Sequence, residues 1–306
     1  MEPKLKLIVV SLLLCCSIVV AEKGFTSDYF VKKHNLLLPQ VNEKQTDISK
    51  HAHKSDSWFY FYKDSSDKID SVYEYLNIEG FPPNKQHQKY EYRKDSIFIR
   101  SISIAQDNMD TTSNEIIIFT NNFKNKTYYD KRNQCYTYVT FTSWGQRKSE
   151  KNQCPKDVFP HGREFSFVKK ANYIESIETY NGEVDSSDIR RYYFTAFDSL
   201  CAEYSVTKDT TPFLVKLNVF NSSQQKTYEY GFDPFKYYNH VYSFNYFTYG
   251  KNGKMLRDYF FLVKPETEKL KKREFYLVNY TEYTYDSLGR KTSMITRVVP
   301  DSVATK

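Results

Sequence analysis

Glycine is scarce in this chain, 9 of 306 residues, and proline hardly commoner at 10. Loops that cradle phosphate need clustered glycines so that backbone N–H groups can approach the ligand, and no such cluster occurs. A Gly-x-Ser-x-Gly elbow and a His-Glu-x-x-His helix are missing too, which removes the commonest hydrolase and metalloprotease signatures. Cysteine is sparse: Cys15 and Cys16 fall in an N-terminal apolar run, leaving Cys135, Cys154 and Cys201 without the paired spacing of a zinc site. Beyond that first run no stretch reaches the ~18 apolar residues a spanning helix requires, so no membrane span is expected. The net charge of +7 is small and interleaved with carboxylates, unlike the clustered basic footprint of a nucleic-acid binder.

The N-terminal run itself carries an address. Lys4 and Lys6 precede the apolar segment Leu7 to Val20, and Val19 and Ala21 fit the small-residue cleavage pattern, so residues 1–21 read as a secretory signal peptide. A secreted, extracellular glycoprotein is the expectation, with sequons at Asn125, Asn221 and Asn279 among turn-forming residues. In an oxidising compartment three cysteines give one bridge and one leftover thiol. The preferred bridge is Cys135 to Cys154, which staples a polar loop and contributes about 3 kcal/mol in the chain-entropy model. Cys135 to Cys201 competes with it. In the preferred pairing Cys201 is free, or it bridges two molecules in a homodimer.

What the chain has in quantity is aromatic surface, 28 tyrosines and 23 phenylalanines. These gather with β-branched residues in short runs: 58–62, 72–78, 97–104, 115–120, 135–142, 191–197, 213–220, 237–249, 259–263, 275–285 and 293–299. Each is strand-length, and they recur too closely for βαβ crossovers, so the expectation is an all-β, large antiparallel sheet. Phe213, Val215, Leu217 and Val219 alternate with polar neighbours, the period of a half-buried strand. One or two short helices are expected, after the Asp185–Asp188 cap signals and over Pro265–Lys271. Residues 22–56 read as a polar N-terminal arm and 57–306 as a single β-rich domain with a soft boundary near 221–226. The loops expected to break the pattern are the Pro82-Pro83 segment and 147–162.

Two hairpin signals echo each other near the C-terminus. Phe247-Thr248-Tyr249 leads into Gly250-Lys251-Asn252-Gly253-Lys254, and Tyr283-Thr284-Tyr285 into Asp286-Ser287-Leu288-Gly289-Arg290. The second copy resembles the tyrosine-aspartate repeat of secreted shell-forming and adhesive proteins, with Tyr283, Tyr285, Asp286, Gly289 and Arg290 in register. A broader resemblance runs over about 58–220. Asn133-Gln134-Cys135 precedes Tyr180-Asn181-Gly182 and then Ile189-Arg190-Arg191-Tyr192, an order similar to that of ependymin-related and LolA-like secreted domains. The chain departs from their pattern: no glycine precedes Ile189, no cysteine follows it by two, and Tyr192 or Tyr193 stands for tryptophan. Cys201 is the available substitute anchor.

That resemblance implies an open or half-closed antiparallel barrel enclosing an apolar pocket for a lipid or other hydrophobic small molecule. The function expected from it is a secreted lipid-binding glycoprotein. The alternative is an extracellular structural or adhesive protein using tyrosine-rich hairpins for protein or glycan contacts. No enzyme activity, cofactor or metal is expected. His51 and His53 lack a nearby third ligand, and His161 has no nucleophile beside it in sequence other than cysteines expected to be bridged.

Overall fold

The structure is a computed structural model that describes residues 24–41, 46, 52–77, 84–93, 96–105, 112–119, 125–130, 135–142, 147–153, 162–181, 183–206, 212–232, 240–268 and 273–300. Among the described residues one bounded α-helix, α1 (Ser27–His34), precedes eighteen strands. They are β1 (His53–Tyr62), β2 (Ile69–Leu76), β3 (Asn84–Tyr92), β4 (Ser96–Ala105), β5 (Thr112–Phe119), β6 (Asn125–Asp130), β7 (Cys135–Phe141), β8 (Arg147–Gln153) and β9 (Gly162–Lys169). There follow β10 (Ile174–Tyr180), β11 (Glu183–Phe194), β12 (Leu200–Val206), β13 (Phe213–Phe220), β14 (Lys226–Phe232), β15 (Val241–Tyr249), β16 (Met255–Val263), β17 (Phe275–Tyr285) and β18 (Lys291–Val298). The expected all-β class, built on one large antiparallel sheet, is what the chain adopts.

Pairing is sequential and antiparallel throughout, and β1 pairs with β2 on one side and β18 on the other. Each strand is therefore flanked on both sides, which protects backbone groups that would otherwise invite pairing with another chain. The junction with least pairing is β8 to β9, where Ser149–Lys151 meet Gly162–Glu164.

The core sits on one face of β12–β17. A single cross-strand row, Ala202, Leu217, Tyr230, Phe244, Phe261 and Leu277, runs through directly opposed pairs and is almost wholly buried. Beside it Tyr228, Tyr246, Tyr259 and Tyr280 form a tyrosine ladder with neighbouring ring centroids 5.0, 6.0 and 5.8 Å apart. Each fully buried aromatic or aliphatic side chain contributes roughly 1.5–3 kcal/mol. This face is covered by α1, whose Phe30 is fully buried, and by the following segment, where the Tyr230 hydroxyl donates to the Pro39 carbonyl at 2.9 Å.

The helix has local reasons to exist. Asp28 stands in its first turn, Lys32, Lys33 and His34 in its last, and Asn35 closes it in the left-handed conformation at φ 49°. It falls within the expected N-terminal arm, where these end signals stand without an amphipathic stripe, since only one of its eight residues is buried.

Several expectations need correction. Asp185–Asp188 caps no turn: it lies inside β11, opposite a register shift at Ile177/Glu178. Pro265 opens only a 3-10 turn, Pro265–Thr267. The expected 147–162 loop contains β8, Arg147–Gln153, an all-polar strand whose pairing with β7 overrides its weak β propensity. Strands β3, β6, β9, β10, β12 and β14 likewise lie outside the expected runs.

Candidate functional site

Four hairpins share one turn. In β11–β12, β13–β14, β15–β16 and β17–β18 the loops start at Thr195, Asn221, Gly250 and Asp286. In each, the N–H of the first residue donates to the carbonyl of the fifth, and the N–H of the fourth donates back to the first. The fourth residue is left-handed every time: Asp198 at φ 56°, Gln224 at 60°, Gly253 at 77° and Gly289 at 76°. This is a type I turn closed by a bulge residue with positive φ. Three of the four first residues supply a side-chain oxygen to the loop, as Asp286 Oδ1 does in accepting from the N–H groups of Leu288 and Arg290 at 3.0 and 2.9 Å.

Neighbouring hairpins are then tied together by the tyrosine that precedes the turn. The Tyr249 hydroxyl donates to the Lys226 carbonyl at 2.8 Å and Tyr285 to Met255 at 2.9 Å. Tyr62, before the β1–β2 turn, donates to Lys291 at 2.8 Å. In three of the four turns the residue at the end reaches the next hairpin: Gln225 donates to the Gly253 carbonyl, and the cations of Lys254 and Arg290 lie over Tyr285 and Tyr62. Arg290 also donates to the Asp64 and Ser66 carbonyls and pairs with Asp286 at 2.7 Å. The Asp286 carboxyl is opposed by desolvation, but the N–H groups and guanidinium of Arg290, with the Leu288 N–H, outweigh it and hold its pKa below the ordinary range. The two sequence echoes are thus part of a longer structural repeat that the N-terminal β1–β2 hairpin continues. Asn221 and Thr195 in place of the aspartate hid the other members.

On the face of the sheet opposite the aromatic core runs a polar row, Asn218, Glu229 and Asn245. Glu229 lies between Lys226 at 2.6 Å and Lys216 at 3.2 Å. Desolvation raises its pKa, yet these two cations outweigh it and keep the carboxyl below its ordinary range. Asp258 accepts from Asn245 at 2.9 Å, and burial pushes its carboxyl up. Glu229 and the Asn245–Asp258 pair are satisfied within the sheet, whereas Asn218 donates from Nδ2 to the Leu200 carbonyl at 2.8 Å and leaves its buried Oδ1 without a partner.

A different arrangement occupies the face of β1–β4 on which Phe59 and Phe61 stand. Phe61 and Tyr73 are 51 % and 48 % exposed, which leaves two large rings facing water. They meet edge to face at 5.5 Å, and Tyr73 stacks on His87 at 4.2 Å. A shallow cleft over Phe59, Phe61, Asp70, Ser71 and Tyr73 adjoins a larger cavity of about 650 Å³ that shares Asp70 and is rimmed by Lys63, Lys68, Lys89 and Arg100. On β7, Tyr136 and Tyr138 stack at 6.2 Å, 41 % and 39 % exposed. A third cavity, of about 450 Å³, joins Tyr138 to Ser149, Lys151, Glu164, Thr179 and Asn181. Exposed aromatic rings bordered by hydroxyl and charged groups are common to both sites. The chemistry this permits is recognition of polar partners with apolar faces.

The residues singled out from sequence are scattered with respect to these sites. Cys201 is a fully buried free thiol in β12, its pKa pushed up to about 12 by burial. It therefore makes neither the competing bridge to Cys135 nor, without local opening, a link between molecules. Cys154, His51, His161 and the signal segment lie outside the described residues. Contrary to expectation, Asn125 and Asn279 stand in strands β6 and β17, and Asn221 alone is in a turn, its Nδ2 donating to Gln225. Among the described residues no group of three or more His, Cys, Asp or Glu side chains is placed to hold a metal, and no helix is long and apolar enough to cross a membrane. No protein-family model matches the chain, and no curated protein matches it as a relative.

Proposed function

We propose that this protein is a secreted, extracellular structural or adhesive protein that presents a tyrosine- and phenylalanine-bearing sheet face to its partners. The observation that carries the reading is the pairing of half-exposed rings, Phe61 with Tyr73 and Tyr136 with Tyr138, on faces bordered by polar cavities. A stable monomer gains nothing from ordering such rings in water, whereas aromatic residues on a rigid sheet make contact area at little entropic cost. The lipid-carrier reading requires a large apolar cavity; the cavities of about 650 and 450 Å³, by contrast, are bordered by charged side chains, Lys63, Lys68, Lys89 and Arg100 in one and Glu150, Lys151 and Glu164 in the other. Secretion brings with it glycans at the sequons and a Cys135–Cys154 bridge.

The test is adhesion of the protein, secreted from eukaryotic cells, to a decellularised extracellular matrix. Phe61→Ala with Tyr73→Ala is expected to lower the bound fraction at least tenfold while the melting curve stays in place. Unchanged binding by that variant and by Tyr136→Ala with Tyr138→Ala would refute the reading.

A further inference from the structure

Resting on that reading, we infer that the β1–β4 face is a binding site for an acidic saccharide, a chain of sugar rings carrying one carboxylate per charged unit. The argument begins with the pairing register. Phe61, Ser71, Lys89 and Arg100 are successive directly opposed partners on β1, β2, β3 and β4, so their side chains emerge on one face. Adjacent strands are about 4.8 Å apart, close to the length of one pyranose unit. A saccharide lying across the strands would therefore meet aromatic rings at one end and cations at the other, one element per strand.

The chemistry at each end fits the same ligand. The C–H face of a sugar ring carries partial positive charge and packs on the negative π-face of an aromatic ring, and Phe61 and Tyr73 offer such faces half exposed. Their orientation is fixed, because Phe61 abuts Tyr73 and Tyr73 is stacked on His87. Asp70, which lines both clefts, supplies acceptors for sugar hydroxyls, while Ser71 lines the shallow one and is buried.

Charge then selects among saccharides. Four cations, Lys63, Lys68, Lys89 and Arg100, line the larger cavity against the carboxylates of Asp64, Asp70 and Glu91, and Glu91 is already paired with Arg93 at 2.9 Å. The cavity is thus cationic by only a small margin. That suits isolated carboxylates, while a densely sulfated chain would be repelled by Asp64 and Asp70. Lys89 is exposed at the cross-strand position where the carboxylate would fall.

The test uses calorimetry on the full secreted protein with oligogalacturonate, its methyl-esterified neutral form, and a heparin oligosaccharide as probes. The acidic form is expected to bind at least tenfold more tightly than the ester, with affinity falling as salt is raised from 50 to 500 mM, a range over which screening of exposed charges becomes strong (about 10 Å at 0.1 M). Lys89→Glu should abolish that preference and leave weak binding of the ester. Phe61→Ala with Tyr73→Ala should remove binding of both, with the melting curve unchanged. Equal affinity for acid and ester, or tighter binding of heparin, would overturn the carboxylate assignment while leaving the aromatic face intact as a contact surface. Saccharide binding that persists in the double aromatic variant would remove this site, while the adhesive reading stands or falls separately on the matrix assay of both tyrosine-bearing faces.

Discussion

The fourth position of each shared turn is where single residues matter most to the fold. An L side chain with positive φ is crowded between its Cβ and the following carbonyl oxygen, at a cost of roughly 1–2 kcal/mol, and glycine avoids it. Gly253 and Gly289 take that position freely, whereas Asp198 and Gln224 hold the same conformation under strain. Gly289→Ala should therefore lose about 1–2 kcal/mol in urea unfolding, and Gln224→Gly should gain about 0.5–1 kcal/mol once the added flexibility of the unfolded chain is counted. If both changes shift the midpoint in the same direction, the turn assignment fails. Arg290 is a second such residue, since its guanidinium serves Asp286, two carbonyls of the β1–β2 turn and the Tyr62 ring at once. Lysine cannot reproduce a planar fork, and Arg290→Lys should cost about 1–3 kcal/mol, checked by the same unfolding curve. Tyr285, Asp286, Gly289 and Arg290 were legible in sequence because turn chemistry is local. The role of the tyrosine hydroxyl was not, because its acceptor, the Met255 carbonyl, lies thirty residues upstream.

Among the elements, α1 shows how tertiary contact overrides a weak local pattern. It docks through Phe30, which is packed among Phe25, Tyr193 and Tyr204, and through His34, whose Nε2 meets the Tyr204 hydroxyl at 2.5 Å. Desolvation, reinforced by Lys33, lowers the His34 pKa below its ordinary value of 6.5. The unfolded or undocked arm thus binds a proton more readily than the docked one, and stability rises with pH across this range. The contribution of His34 is fully present above pH 6.5 and is lost as the pH falls from there through its lowered folded value. Acidification from pH 7.5 to 5 should increase proteolysis or amide exchange within 27–34, and His34→Gln should flatten that dependence. An unaltered exchange rate across the range would count against the docking contact. Polar strands such as β8 make the complementary point. Arg147–Gln153 has no apolar alternation to announce it, and it is a strand because β7 offers it a ladder.

For the whole molecule, the decisive feature is that β1 pairs with β18 and the β1–β2 hairpin takes the next place in a C-terminal repeat. Contacts between the two ends of the chain are long in sequence and carry a large loop-closure cost, so that seam should form late in folding. The junction with the shortest ladder, β8 to β9, should open most easily in the native state. Hydrogen exchange is expected to show the fastest strand amides at 149–151 and 162–164 and the slowest in β13–β17, where the buried aromatic row lies. The reverse order would contradict this distribution of stability. The sequence by itself determined the class, since short aromatic and β-branched runs with turn residues between them can bury their apolar faces only as antiparallel strands. It also determined the chemistry of individual turns, because those depend on residues within a few positions of one another. Which hairpins stand side by side, which polar segments become strands, which of two aromatic faces is covered by α1 and which is left half exposed were decided by the tertiary structure alone. Each depends on groups brought together from distant parts of the chain, and no local preference encodes that proximity.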